Sequence, residues 1–331
     1  MTTVGRTGGI RPSLSAEELL SAVPGLDEAA RVETDTLATL PGASLEVRDL
    51  LGALQWARAH VLAGASGAVV VQGTDNIEET AYLLDLYWDL PEPLVVTGAM
   101  RSPQVAGADG PANLLASVLV AKDPESRDLG VLVVMNDQIH AASRVRKTRA
   151  SGTDAFTSPS FGPLGYLEEG RPVIANRLAR WPSLRLPSVV TETRVALVET
   201  HLGDRGTLLD LVSQASFDGV VLAGFGVGHV SSALAECVAQ AADRIPVVLA
   251  SRTGSGTSYQ KTYDFQGSES DLIAKGAIGA GWLDPRKARI LLSCLLSANE
   301  TREDIRSEFA RRGGNPGAYK MFDDYVEDLQ V

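Results

Sequence analysis

Six short apolar runs punctuate the chain, at 68–72 (AVVVQ), 93–98 (PLVVTG), 129–135 (LGVLVVM), 194–200 (RVALVET), 218–224 (DGVVLAG) and 245–251 (IPVVLAS). Each is nearly continuous rather than alternating, the pattern of a strand covered on both faces in a parallel sheet. Longer stretches with helical spacing separate them. In 45–63, Leu50, Leu54, Trp56, Ala57 and Val61 form one apolar stripe, and 113–121, 208–215, 231–242 and 286–297 are further helix candidates. Strand–helix alternation of this kind predicts an α/β fold with parallel sheets. The pattern lapses across 180–193, where two prolines and several Ser and Thr residues intervene. This divides the chain into 1–180, a linker at 181–193, and 194–331. The last fifteen residues read as an acidic tail with a short helix.

A length of 331 residues fits about two domains. Lys and Arg total 30 against 41 Asp and Glu, a formal charge of −11. That balance argues against nucleic acid, whose phosphates need clustered cations; the densest basic group is only Arg144, Arg146, Lys147 and Arg149. No apolar run is long enough to cross a membrane. Cys237 and Cys294 form no CxxC pair and read as small core residues. The four histidines lack metal-ligand spacing, so no metal is expected; His140 and His201 follow strand-like runs and are weak candidates for lining a site. The opening residues contain no apolar leader, so a cytoplasmic location is expected.

Ligands of open α/β sheets gather at the carboxyl ends of strands, so the residues after each run carry the candidate chemistry. After 68–72 come Gly73, Thr74, Asp75 and Asn76, with Glu79 three positions beyond Asn76. Glycine permits a tight turn, and the next three residues are good helix caps; capping alone would explain them. After 93–98 comes Ala99-Met100-Arg101, and after 129–135 come Asn136-Asp137 and then Lys147. A lone lysine is usually solvated. Together, however, the Thr74 hydroxyl, the Asp75 carboxylate and the Lys147 amine are the parts of a proton relay, with a partly desolvated amine as acceptor. No GxSxG, HExxH or P-loop occurs. GFGVGH (224–229) lacks dinucleotide-binding spacing and reads as a tight turn.

QGTDNIEETAYLLDL, VVTGAMRSP, ADGPANLLASVLVA, VRKTRASGTDAFTSP and FGPLGY, in that order, resemble the bacterial-type L-asparaginase family. IRPSLSAEELLSAVPGL and LDPRKARILLSCLL extend the resemblance towards both ends. It implies a larger N-terminal and a smaller C-terminal α/β domain. It also implies hydrolysis of L-asparagine, often L-glutamine, to acid and ammonia through a threonine nucleophile, without cofactor, in a tetramer with active sites at subunit interfaces. By the same resemblance, Gly73-Thr74-Asp75 carries the second catalytic threonine and the aspartate that binds the substrate ammonium, and Lys147 is the catalytic lysine. Ala99 offers a backbone carbonyl to the substrate amide. Ser44 is the candidate for the substrate carboxylate, in a register that leaves Ala43 open. Glu269 is placed to reach a neighbouring subunit's site.

Two departures follow. The family's first strand ends in a Gly-Gly-Thr-(Ile/Val)-Ala signature that supplies the nucleophile, and this sequence has none. Thr7-Gly8-Gly9-Ile10 only looks similar, having no threonine after its glycines. The favoured expectation is that a further segment precedes Met1. The alternatives are a catalytically impaired binding protein, or a hydroxyl from Thr2 or Thr3. The absent strand would be central to the first sheet, and its loss would uncover apolar edges and backbone groups. Second, Asn76 stands where the family usually has threonine; it keeps a cap, and it raises the alternative of a specialised amidase of a pathway intermediate.

Overall fold

The computed structural model describes residues 2–4, 10–186 and 192–314. The chain forms two compact units, Met1–Arg185 and Leu186–Val331. The tail helix expected at 317–331 lies outside the described residues.

The first unit opens with strands β1 (Thr2–Val4) and β2 (Ile10–Pro12), an antiparallel pair with Thr2 opposite Pro12. Helices α1 (Ala16–Ser21) and α2 (Leu26–Ala29) follow; Ser15 and Glu18 close a capping box on α1. Then come α3 (Val47–Leu62), β3 (Ala68–Val71), α4 (Ile77–Tyr87), β4 (Leu94–Thr97), α5 (Gly110–Lys122), β5 (Val131–Met135) and β6 (Gln138–Ala141). The short pair β7 (Arg146–Lys147) and β8 (Phe156–Thr157) and the hairpin β9 (Gly165–Glu168) and β10 (Arg171–Ile174) complete it.

The main sheet has the order β10-β9-β6-β5-β4-β3. β3, β4 and β5 run parallel, with Ala68 opposite Leu94 and Leu94 opposite Val131. The remaining pairings are antiparallel, half a sheet that the apolar runs did not announce. Its cause is local. Asn136 and Asp137 both take positive φ, 51° and 59°, and close a two-residue hairpin between β5 and β6. These residues, read from sequence as strand-end site candidates, are therefore turn residues. α5 covers the face bearing Val69 and Val71; α3 and α4 pack on each other and cover the opposite one. β4 and β5 are buried throughout, whereas three of the four β3 residues are only partly buried. β3 stands at the sheet edge, with an 860 Å³ cleft along its unpaired side.

The second unit holds a parallel sheet of β11 (Val195–Glu199), β12 (Gly219–Gly224), β13 (Val247–Ser251) and β14 (Ile278–Gly279), in that order. Around it lie α6 (Thr207–Gln214), α7 (Ser232–Ala242), α8 (Glu269–Ala274), α9 (Pro285–Ser297) and α10 (Arg302–Arg312). Leu209, Leu222, Leu234, Val238, Leu249 and Leu272 are the centre of its core. GFGVGH is a tight turn, with the Phe225 N–H donating to the His229 carbonyl at 2.8 Å. Cys294 is buried, but Cys237 is only partly so. Burial and the neighbouring Asp210 push the Cys237 thiol up to about 11. Among the described residues, no helix is long and apolar enough to cross a membrane, and no cluster of three His, Cys, Asp or Glu could hold a metal ion.

Candidate active site

β3 ends at Val71, and the chain turns through Gln72 and Gly73 into a single helical turn, Thr74–Asn76, which leads into α4. Lys147 arrives from β7. Its Nζ donates to Thr74 Oγ1 at 2.9 Å and lies 4.0 Å from Asp75 Oδ1. The lysine side chain is 17% exposed and the aspartate 61%, so the amine is recessed and the carboxylate open to a ligand. The Lys147 backbone is pinned as well. Its N–H donates to Glu78 Oε2 at 3.0 Å, from a carboxylate buried on the first turn of α4. Sequence reasoning missed Glu78, because a glutamate in a helix reads as solvated; its place among buried α4 residues was the available signal.

Asn76 does not cap α4, and no capping box forms there. Its amide instead links two loops: Gln72 Nε2 donates to Asn76 Oδ1 at 2.9 Å, and Asn76 Nδ2 donates to the Gly42 carbonyl at 2.8 Å. This holds the Gly42–Ser44 turn against the Thr74 turn. The approach is close on both sides: a Cβ on Gly42 would sit 3.0 Å from the Gly73 carbonyl oxygen, and one on Gly73 would sit 3.2 Å from the Gly42 nitrogen. Ser44 and Ala43 thus both stand exposed on a turn beside Thr74.

Ala99 follows β4 and Gly98. A Cβ on Gly98 would lie 2.5 Å from the Gln72 carbonyl and 3.2 Å from Thr74 Cγ2, so only glycine lets this loop close on the threonine. The loop is held from α5. Asp109 accepts from the Met100 and Arg101 amides at 3.0 and 2.9 Å, and Asn113 Nδ2 donates to the Gly98 carbonyl at 3.0 Å. Asp109 and Asn113 were not singled out from sequence; they position a loop without carrying chemistry. Gly73, Thr74, Asp75, Lys147, Ser44 and the Ala99 loop are therefore gathered at the carboxyl ends of β3 and β4.

The other sequence candidates lie elsewhere. Glu269 starts α8 in the second unit, fully buried. Its Oε1 accepts from the Thr262 and Tyr263 amides at 2.7 and 2.8 Å, and His229 Nε2 lies 3.0 Å from Oε2. Burial works to raise its carboxyl, but these donors outweigh it and hold it below the usual carboxylate range. His140 is buried within β6, its Nδ1 2.9 Å from Ser158 Oγ, and His201 is exposed beyond β11.

A family model described as "Asparaginase, N-terminal" matches residues 1–180, and one described as "Glutaminase/Asparaginase C-terminal domain" matches 194–309. The chain belongs to the asparaginase family. L-asparaginase 2 of Escherichia coli (strain K12) is 32% identical over 313 residues, covering 93% of this chain and 86% of that protein. A probable periplasmic L-asparaginase of Haemophilus influenzae is 31% identical, covering 89% and 84%. The crystal structure of a probable cytoplasmic L-asparaginase from Campylobacter jejuni superposes with a TM-score of 0.81 at 29% identity, covering 89% of this chain and 93% of that one. The mixed α/β fold of this asparaginase-family chain is thus shared with a solved relative, and family membership makes its chemistry that of an asparaginase-type amidohydrolase acting on a small amide.

Proposed function

We propose that the protein hydrolyses the side-chain amide of L-asparagine, or of L-glutamine or a related small amide, to the acid and ammonia. The observation that carries this reading is the 2.9 Å hydrogen bond from Lys147 Nζ to Thr74 Oγ1, with Asp75 open beside it. In the proposed mechanism a threonine hydroxyl attacks the amide carbon while its proton passes through Thr74 and Lys147. The C–N bond then breaks, the nitrogen takes up the proton and leaves as ammonia, and an ester links substrate to enzyme. Water attacks that ester, delivers its proton along the same path, and restores the hydroxyl. Asp75 anchors the substrate ammonium by a charge-assisted hydrogen bond, Ser44 receives its carboxylate, and the Ala99 carbonyl receives the amide N–H. Glu269 would act towards a neighbouring subunit in a homotetramer. No cofactor is required.

The attacking hydroxyl of this mechanism belongs to a Gly-Gly-Thr-(Ile/Val)-Ala signature, which these 331 residues do not contain. Ammonia release tests this directly. The 331-residue chain should release negligible ammonia from asparagine, whereas a chain extended by a strand ending in Gly-Gly-Thr-Ile-Ala should turn over. Turnover by the shorter chain would mean that another hydroxyl serves. Failure of the extended chain, with asparagine still bound in calorimetry, would favour a binding protein on the same fold. Asn76, committed to Gln72 and Gly42, favours a panel of amides in the assay; a better substrate than asparagine would identify a specialised amidase. A cytoplasmic location is supported by the name of the Campylobacter relative and opposed by that of the Haemophilus one; cell fractionation separates the two.

A further inference from the structure

The two groups that would take the charges of an amino-acid head stand on different loops, and one side chain joins those loops. Asp75 belongs to the Thr74–Asn76 turn and Ser44 to the Gly42–Ser44 turn, and both are exposed at the site. Between them, Asn76 Nδ2 donates to the Gly42 carbonyl at 2.8 Å. The same carbonyl accepts the Leu45 N–H at 3.1 Å and so closes the turn that carries Ser44. Asn76 therefore grips the group that sets both the shape of that turn and its distance from Asp75.

The tie works in one direction only. The Gly42 carbonyl is an acceptor, so the Asn76 amide must turn its nitrogen to it and its oxygen away. That oxygen accepts from Gln72 Nε2 at 2.9 Å, and Gln72 Nε2 also donates to the Gly73 carbonyl at 3.2 Å. Gln72 is nine-tenths buried, so the bridge starts from a fixed point. A threonine hydroxyl, the group that the resemblance leads one to expect here, carries one proton and ends one bond nearer the backbone. Asn76 also stands at the start of α4, where an asparagine ordinarily caps the helix, and its side chain caps nothing. A cap given up for a bond to a distant loop points to a role in placing that loop.

We propose that Asn76 is a positioning residue that sets which amides the site takes. By fixing the Ser44 turn beside Asp75, it lets the two anchors hold the carboxylate and the ammonium of one α-carbon together. Charge-assisted hydrogen bonds are short and directional, so a turn that drifts loses its share of the grip. The substrate class is then a small amide with a free α-amino-acid head, and amides in which the carboxylate is missing are discriminated against. The inference rests on the amidase reading; it gives Asn76 a part in recognition and none in the proton relay.

Equilibrium binding tests the proposal, because the 331-residue chain is expected to leave its ligands intact. Calorimetry compares L-asparagine with 3-aminopropanamide, the same molecule without its carboxylate. The unmutated chain should prefer asparagine by at least ~10-fold, the scale of a hydrogen bond to a charged group. Asn76→Ala should weaken asparagine until the preference is within about threefold, and leave 3-aminopropanamide within about twofold. Gly42→Ala leaves the Asn76 amide in place but sets a Cβ 3.0 Å from the Gly73 carbonyl oxygen and 3.3 Å from Asn76 Oδ1, which presses the turns apart. It should give the same selective loss, smaller in size. Ser231→Ala in the second unit, a loss of stability of similar size, should leave the preference unchanged. A preference that survives both Asn76→Ala and Gly42→Ala, or an equal loss for the two ligands, would overturn the proposal. An unmutated chain that binds both ligands alike would overturn it too and leave the amidase reading standing. One that binds neither would overturn that reading, and the proposal with it.

Discussion

Two strands end their sheets at an open side, β3 in the first unit and β11 in the second, and they are built differently. In β11, Val195 and Val198 are buried, while Leu197 and Glu199 face solvent. One of its outer carbonyls, that of Val195, accepts from Arg289 Nε at 3.0 Å. This edge carries charge, a guanidinium on one outer carbonyl and a glutamate at its end. β3 reads Ala-Val-Val-Val, the composition of the buried strands β4 and β5, yet three of its residues stay partly exposed. In β3, composition typical of an interior position stands at an edge. Both strands also lead towards a threonine. Thr74 Oγ1 meets an amine, whereas Thr200 Oγ1 donates to the Ala223 carbonyl at 3.1 Å, a structural bond.

The largest expected effect separates those threonines. In a turnover-competent chain, Lys147→Met should lower kcat by at least ~10²-fold, the usual scale for a lost proton-transfer group, and Thr200→Ala should leave kcat within about threefold. Steady-state ammonia release decides, and an unchanged kcat in Lys147→Met would remove the lysine from the mechanism. Next, an aspartate at each edge probes the walls. Val71→Asp should cost about 2 kcal/mol, since Val71 packs with the Leu114–Val118 cluster. Leu197→Asp should stay within about 0.5 kcal/mol at an exposed position. Urea unfolding of the pair should show that gap; equal costs would erase the distinction between the two edges. A third step compares loop ties. Asn76→Ala should cost about 1 kcal/mol for its two side-chain hydrogen bonds. Ser231→Ala, which removes the α7 cap, should cost about the same. Only the first should loosen the Ser44 turn, seen as faster amide exchange at Ser44 and Leu45.

The smallest effect lies in acid. The folded Glu269 carboxyl is held below its unfolded value, so its stabilisation is complete at neutral pH. It is lost as pH falls through the ordinary carboxylate range, from about 4.3 downward. Glu269→Gln should therefore flatten the acid side of the unfolding profile of the second unit, while Val71→Asp should not. Chemical unfolding at a series of pH values provides the check, and an acid limb of unaltered slope would mean that the carboxylate contributes nothing.

The parallel strands other than β14 were legible because continuous apolar runs bounded by turn residues have few other uses. The long helices were legible through their 3.6-residue stripes. The antiparallel half of the first sheet was not, because QIHA, GYLE and RPVI are short and mixed, and hairpin turns rather than apolar pattern set their pairing. α10 escaped notice for a related reason: only Ile305 and Phe309 are buried on a helix otherwise rich in charge. At the site, the pairing of Thr74 with Lys147 was readable as chemistry, though the two lie 73 residues apart. The supports were not. Glu78, Asn76, Asp109 and Asn113 act through backbone groups, and no side-chain pattern announces which backbone amide a distant loop will offer.

The raised thiol of Cys237 and the burial of Cys294 have a practical corollary. At neutral pH almost none of the Cys237 sulfur is thiolate, and thiolate is the form that maleimides and iodoacetamides attack. The native sequence should therefore be nearly silent to thiol-directed spin labels and fluorophores. A single engineered cysteine near Leu37 or Leu40, on the exposed wall of the cleft, would report as the sole reactive handle.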